Sequence, residues 1–303
     1  METDIREQRQ IEHQDVVGLN FIRRPNRFVF RRYYRQGLRS HVMEVLDPAD
    51  VCLESTGVLR NGSRWFPKAP PLKVLRIFRT QFDTWQEAYE DILRFQVIKT
   101  YLTTDYIAVS EEFIADYAEG GTNRVILCGL QEFVRGQVLD PWALTGECLL
   151  EKYNPCLLTE APDIPAADWV QRVRHHVDRF VDRVRTMILK GRLIPDLAGV
   201  GNLLLSPDGL IKLVDINNIR PVIFGGPPLP DERGYPACDK SIEALSRIET
   251  HLLGRPVDPV DPIYRHFLTP ERMREVADMG KAFHAAIQAN AIFPASALPA
   301  EGR

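Results

Sequence analysis

Three polar residues, Asp196, Asn202 and Asp215, bracket an apolar hairpin in "IPDLAGVGNLLLSPDGLIKLVDIN", residues 194 to 217. A buried strand pair gains nothing in packing from an amide and two carboxylates at its ends. The runs Leu203-Leu204-Leu205 and Ile211-Lys212-Leu213-Val214 are β-prone, and Ser206-Pro207-Asp208-Gly209 joins them. Pro sets φ at the second turn position, and Gly takes the positive-φ site that closes the loop. Folding about Pro207-Asp208 sets position 205 opposite 210, 203 opposite 212 and 202 opposite 213. Asn202 and Asp215 then fall at one end of the hairpin. With a rise of roughly 3.3 Å per residue and strands about 4.8 Å apart, their oxygens can converge on one hard cation such as Mg²⁺. The plainer alternative is that Asn and Asp merely end strands, where both are common.

Positioning such a group takes a scaffold, and the flanking chain supplies the elements. Before the hairpin, DWVQRVRHHVDRFVDRVRTMILKG steps by four or three through Trp169, Val173, Val177, Phe180, Val184 and Met187, with Asp168 as a cap and Gly191 as a terminator. His175 and His176 lie on this helix; neighbours there diverge by about 100°, so they cannot chelate as a pair and belong to a polar face. Earlier, "RFVFRRYY", "HVMEVL", "VCLEST" and "LKVLRIF" are strand candidates separated by Gly37, Asp47-Pro48, Asn61-Gly62 and Pro67 to Pro71. A helical stretch, residues 84 to 101, carries Trp85, Ala88, Ile92, Phe95 and Ile98 on or near one stripe, with Thr84 as its N-cap. Two more strands, "YIAVSEEFIADY" and "RVILCGLQEFV", are split at Gly120-Gly121. After the hairpin come a Pro/Gly loop and helical segments near 238 to 253 and 269 to 290, with Asp239 at the head of the first. The expected organisation is a flexible segment over 1–26, a sheet-plus-helix lobe over 27–136, a second lobe over 137–290 and a tail over 291–303.

Composition bounds the function. The chain has 303 residues, 45% of them apolar, which is ample for a core, and a net charge of −3 gives no global pull toward nucleic acid or membrane. Seven arginines stand among aromatics in "RRPNRFVFRRYYRQGLRSH", where the expected arrangement is a strand with arginines outward and aromatics inward. Nucleic acid is not expected as a partner. Five scattered cysteines, Cys52, Cys128, Cys148, Cys156 and Cys238, lack ligand spacing and read as reduced thiols. No apolar signal segment opens the chain and no run approaches ~20 apolar residues, so a cytoplasmic protein without a membrane span is expected.

The order of these motifs resembles the protein-kinase-like superfamily, including small-molecule kinases and bacterial kinase-like regulators, over roughly residues 45 to 255. In that family a long helix precedes an HxDxxxxN loop, a hairpin and a DFG-type aspartate; here "IPDLAGVGN", "LLLSPDGLIKLV" and "DIN" stand in that order. The resemblance implies an α+β, bilobal kinase-like fold, with an antiparallel sheet plus one helix in the N-lobe and a mainly helical C-lobe. It implies Asp196 as the catalytic carboxylate and Asn202 and Asp215 as Mg²⁺ ligands. Within "LQEFVRGQVL" it implies backbone groups around Glu132 to Val134 that bond adenine. The phosphate-binding cation falls on "PPLKVLRIFRT", where Lys73 is preferred and Arg76 occupies the V-x-R-x-F position. Its helix partner is Glu90, or else Glu87. Asp239 matches a residue that braces the catalytic loop in the family. ATP and Mg²⁺ are the implied cofactors, and the acceptor is a hydroxyl of an unidentified small molecule or protein.

The chain also departs from the family. Six steps separate Asp196 from Asn202 where the family has five, Ile194-Pro195 replace the HR or HG pair, Ala198 replaces the protein-kinase lysine, and DIN replaces DFG. No GxGxxG occurs. Two functions follow from these residues: an ATP/Mg²⁺-dependent phosphotransferase, or a pseudokinase acting as a regulatory or scaffold module.

Overall fold

The computed structural model describes residues 4–34, 39–119, 122–144, 153 and 164–292. Gly37, Gly120, Gly121, Cys148, Cys156 and positions 293–303 of the expected tail lie outside the described residues. The chain divides into two compact units, Met1–Val97 with Ala108–Val134, and Ile98–Ile107 with Arg135–Arg303.

The first unit is built on a five-stranded antiparallel sheet. Its strands are β1 (Val29–Arg32), β2 (Ser40–Leu46), β5 (Lys73–Phe78), β6 (Ser110–Glu119) and β7 (Thr122–Glu132), in the order β1-β2-β5-β7-β6. Alternation along each strand gives the sheet two faces. On one, Phe30, Met43, Val45, Leu75, Ile77, Tyr117, Ile126 and Cys128 are buried against Ile5, Ile11, Val16 and Leu19. On the other, Phe78 and Leu127 pack on Phe95 of α3 (Trp85–Tyr106).

The N-terminal segment expected to be flexible over 1–26 is therefore packed from residue 4 onward. Short α1 (His13–Val17) lies in it, and Asp4, Ile5 and Arg6 are buried. Asp4 takes ion pairs from Arg6 and Arg124, each at 2.7 Å, and His41 Nε2 bonds the Ile5 carbonyl at 2.8 Å. Its apolar residues follow no helical or strand period, so pattern reading passes over them; turns and side chains satisfy its backbone.

The candidate strand "VCLEST" is a helix, α2 (Pro48–Thr56). Asp47 caps it, its carboxylate accepting from Ala49 N at 2.8 Å, and Pro48 sits in the first turn where no N–H is needed. The hairpin β3 (Val58–Arg60) and β4 (Ser63–Trp65) follows, turning on Asn61 and Gly62, both with positive φ. Helix α3 starts after Thr84, whose hydroxyl accepts from Glu87 N, and departs from helical geometry at Thr103.

In the second unit, α4 (Ala166–Thr186) carries five of the six expected stripe residues and Met187 follows just past its end, all six fully buried. Pro165 rather than Asp168 precedes the helix, and Asp168 sits in the first turn. A π-turn over Met187–Gly191 ends it, and Arg192 takes the left-handed conformation. Gly191 lets the Tyr101 ring approach closely, since a β-carbon there would lie 2.8 Å from the Tyr101 hydroxyl. Next come β9 (Leu193–Pro195), β10 (Leu203–Leu205), β11 (Ile211–Leu213) and β12 (Ile219–Pro221), with β12 paired to β9 and β10 lying between β11 and β8 (Gln137–Val138). Helices α5 (Ala237–Leu253), α6 (Pro262–Phe267) and α7 (Pro270–Ile292) complete the unit. Residues Ile98, Leu102, Tyr106 and Ile107 pack into this core, so the end of α3 belongs here and not with the sheet.

The fold is thus α+β: an antiparallel sheet bearing one long helix, then a mainly helical unit with the hairpin between α4 and α5. Among the described residues, no helix is long and apolar enough to cross a membrane. The thiols of Cys52, Cys128 and Cys238 are free.

Candidate functional site

The hairpin pairs Leu203 with Leu213, Leu204 with Lys212 and Leu205 with Ile211. This is one residue out of step with a turn on Pro207-Asp208 alone. Ser206 N donates to Leu210 O at 2.9 Å and Gly209 N to Ser206 O at 3.0 Å, so three residues make the loop and Gly209 takes φ 83°. The Ser206 hydroxyl, which meets both Asp208 and Leu210, locks the longer loop. Asn202 consequently faces Val214, whose N–H donates to the Asn202 carbonyl at 2.8 Å, and Asp215 is the next residue along.

The loop from Asp196 to Asn202 is a sequence of turns. Asp196 Oδ1 accepts from Ala198 N at 3.0 Å and Gly199 N at 3.1 Å, and Asn202 N donates to Gly199 O. Gly201 has φ 95°. The extra residue is taken up in these turns, and Asn202 Nδ2 reaches back to the Asp196 carbonyl at 2.9 Å. The approach is close: a β-carbon on Gly199 would lie 2.5 Å from Asn202 Nδ2. With its nitrogen committed, the Asn202 amide has its oxygen left to offer.

Asp196 is held from a second direction that sequence reasoning missed. Asn218 Nδ2 donates to Asp196 Oδ2 at 2.7 Å, and the backbone of Asp196 donates to Asn218 O at 2.9 Å. Asn218 Oδ1 accepts from Arg220 Nε, and Arg220 pairs with Asp231 and Glu232. The missed signal is the β9–β12 pairing, which sets Ile219 opposite Pro195 and so brings Asn218 beside Asp196. Burial, and after it the charge of Asp215, push the Asp196 carboxyl up to about 6.

The loop is braced by Ser241, whose hydroxyl accepts from Leu197 N at 3.2 Å, and by Trp142, whose indole N–H donates to Ala198 O at 2.8 Å. Asp239, the residue expected to brace it, is instead buried against Arg272 of α7.

Among the described residues, no three His, Cys, Asp or Glu side chains gather as a metal site. The set here is two carboxylates and an amide oxygen, all hard donors of the kind Mg²⁺ takes. One observation fits a cation: the Asp215 charge bears on the Asp196 carboxylate, so the two lie close enough to repel.

The remaining candidates lie in the first unit. Lys73 is exposed and shares its parity with Leu75 and Ile77, the face covered by the N-terminal segment. Arg76 shares parity with Phe78, is buried, and lies over the Phe78 ring at 5.5 Å. Its partner position on β7 is Gly129, opposite Glu112 of β6. The cation on the helix-bearing face is therefore Arg76. Glu90 is exposed and accepts from Gln86 at 3.4 Å, while Glu87 accepts from Asp83 N at the helix start. The acid on α3's inward stripe, with Ala88, Ile92 and Phe95, is Asp91, whose carboxyl burial pushes up. That position was legible, three residues after Ala88 and four before Phe95. Glu132 ends β7, its N–H donating to Val109 O, and the first unit closes at Val134.

Sheet plus helix, long amphipathic helix, Asp-to-Asn loop, hairpin and second Asp follow one another in that order along the chain. Among solved structures the chain is similar to a ROP18 kinase domain in complex with AMP-PNP and sucrose, at 14% identity over 88% of this chain and 82% of that one, with a TM-score of 0.35. No protein-family model and no curated protein matches the chain.

Proposed function

We propose that the protein is a phosphotransferase that moves the γ-phosphoryl group of ATP to a hydroxyl acceptor. The observation that carries this reading is the bond from Asn202 Nδ2 to the Asp196 carbonyl, which leaves Asn202 Oδ1 to coordinate on the loop whose Asp196 carboxylate feels the charge of Asp215. Asn202 and Asp215 hold the cation, and Mg²⁺ when bound supplies neutralisation of phosphate charge. Asp196 Oδ2, with one acceptor position left beside the Asn218 bond, orients the acceptor hydroxyl and takes its proton. The acceptor oxygen forms the new bond to phosphorus as the bond to the bridging oxygen breaks, and ADP leaves with that electron pair. In the first unit, Arg76 is the cation assigned to phosphate and the backbone at Glu132 and Val134 is assigned to adenine.

Calorimetric titration with Mg·ATP tests the reading. The parent should bind, Asp215→Ala should lose Mg²⁺-dependent binding and Asn202→Ala should weaken it; equal binding by all three overturns the assignment.

A pseudokinase reading has its own supporting observation. The exposed Lys73 and the exposed Glu90 do not pair, so the lysine–glutamate bond that active protein kinases use does not form at these residues. Absence of Mg·ATP binding in the parent would favour it.

A further inference from the structure

A cavity of about 520 Å³ opens beside the Asp196 loop within the second unit. On one side stand Trp142, Tyr235 and Lys240. On the other, α7 presents Ala277, Gly280, Lys281, His284 and Ala285, positions that recur at three and four residues and so form one helical stripe. A stripe facing its own protein normally carries large apolar side chains. Here small residues leave the space open, and the walls that remain are aromatic.

The cavity adjoins the site described above. The Trp142 indole that lines it donates to Ala198 O, two residues from Asp196. Tyr235, lining it too, has its phenol pushed up to about 12 by burial and next by the Asp196 charge, so it is a neutral donor at physiological pH. Its ring lies 6.1 Å from that of His284.

Two lysines are the charged residues of the lining. Lys240 Nζ lies 5.2 Å over the Trp142 ring, and Lys281 stands at the exposed rim. Both have carboxylate partners, Glu243 and Asp278, but neither acid lines the cavity. The Lys281–Asp278 pair is solvent-exposed, the kind that a ligand displaces at little cost. The charged side chains that line the cavity are both lysines, while the carboxylates of Asp196, Glu243 and Asp231 act on the Tyr235 phenol.

From this geometry we infer that the cavity holds the acceptor, and that the acceptor carries a planar unsaturated ring and an acidic group rather than an amine. The inference rests on the phosphotransferase reading only for the word acceptor; the ligand class follows from the lining.

The test is a ligand-observed NMR titration of the full chain, without nucleotide, using indole-3-propanoate and tryptamine, which share a ring and differ in the sign of their charge. The acid should bind up to about fivefold more tightly than the amine, the order of one exposed ion pair. Gly280→Leu fills the space: a β-carbon there has Lys240 Cε at 3.9 Å as its nearest neighbour, and leucine favours the helix over glycine. It should cut acid affinity about tenfold or more without lowering the melting temperature, a buried side chain's worth of lost contact. Lys281→Glu should remove the preference for the acid. Equal or tighter binding of the amine, no binding of either ligand, or undiminished acid binding in Gly280→Leu overturns the inference. The nucleotide reading is judged separately by the Mg·ATP titration. Acid binding without Mg·ATP binding leaves the cavity assignment standing and removes phosphotransfer, and the reverse result does the opposite.

Discussion

Asn218 and Asp196 are joined twice, by the amide-to-carboxylate bond at 2.7 Å and by the backbone bond at 2.9 Å. The side-chain bond favours the charged carboxylate and opposes the upward push of burial and Asp215. Asn218→Ala should therefore raise the Asp196 pKa further above about 6. A carbon-13 NMR titration of the Asp carboxyl resonances reads this directly. An unchanged midpoint would show that Asn218 does not hold the ionised form.

Gly199→Ala tests the close approach that returns Asn202 to the loop. The new methyl would lie 2.5 Å from Asn202 Nδ2, so the amide must leave the Asp196 carbonyl. Losing a part-buried hydrogen bond and straining the turn should cost about 1–3 kcal/mol, measured by denaturant unfolding. Mg·ATP binding should weaken with it. A variant as stable as the parent would mean the loop accommodates a side chain and the geometry is not constrained.

Lys73→Met and Arg76→Met separate two cations of opposite strand parity. Arg76 lies on the helix-bearing face and Lys73 on the face covered by the N-terminal segment. Nucleotide affinity should fall more in Arg76→Met. The opposite order, measured by calorimetry with folding of both variants checked by circular dichroism, assigns the phosphate to Lys73.

His41 makes the first unit sensitive to acid. Burial, and then the charge of Arg79, lower its pKa to about 4, while the unfolded chain titrates near 6.5. Between these values the unfolded state takes up a proton that the folded state refuses, so stability falls as pH drops through this window. From pH 7 to pH 5 the loss from this one group is about 2 kcal/mol. His41→Gln, which can still donate to the Ile5 carbonyl, should show a correspondingly flatter unfolding profile over that range. Parallel profiles for parent and variant would remove His41 as the source.

The sequence by itself determined whatever depends on neighbours along the chain. The α4 stripe from Trp169 to Met187, the Thr84 start of α3 and the turn at Pro207 to Gly209 were legible because helical period, capping and turn chemistry act over a few residues. The gathering of Asn202 and Asp215 at one end of the hairpin followed from the same local rules. The tertiary structure decided what depends on contacts distant in sequence. The Ser206 loop moved the hairpin register by one, and β12 brought Asn218 to Asp196 across 22 residues. Asp239 found Arg272 while Ser241 took the Asp196 loop. Ile5, Ile11 and Val16, set in a polar stretch without a period, gained their place only once a sheet face drawn from Phe30 to Cys128 existed to cover. Strand parity separated Lys73 from Arg76, because a side chain's face is set by the partners the whole strand has, and those partners are not its neighbours in the chain.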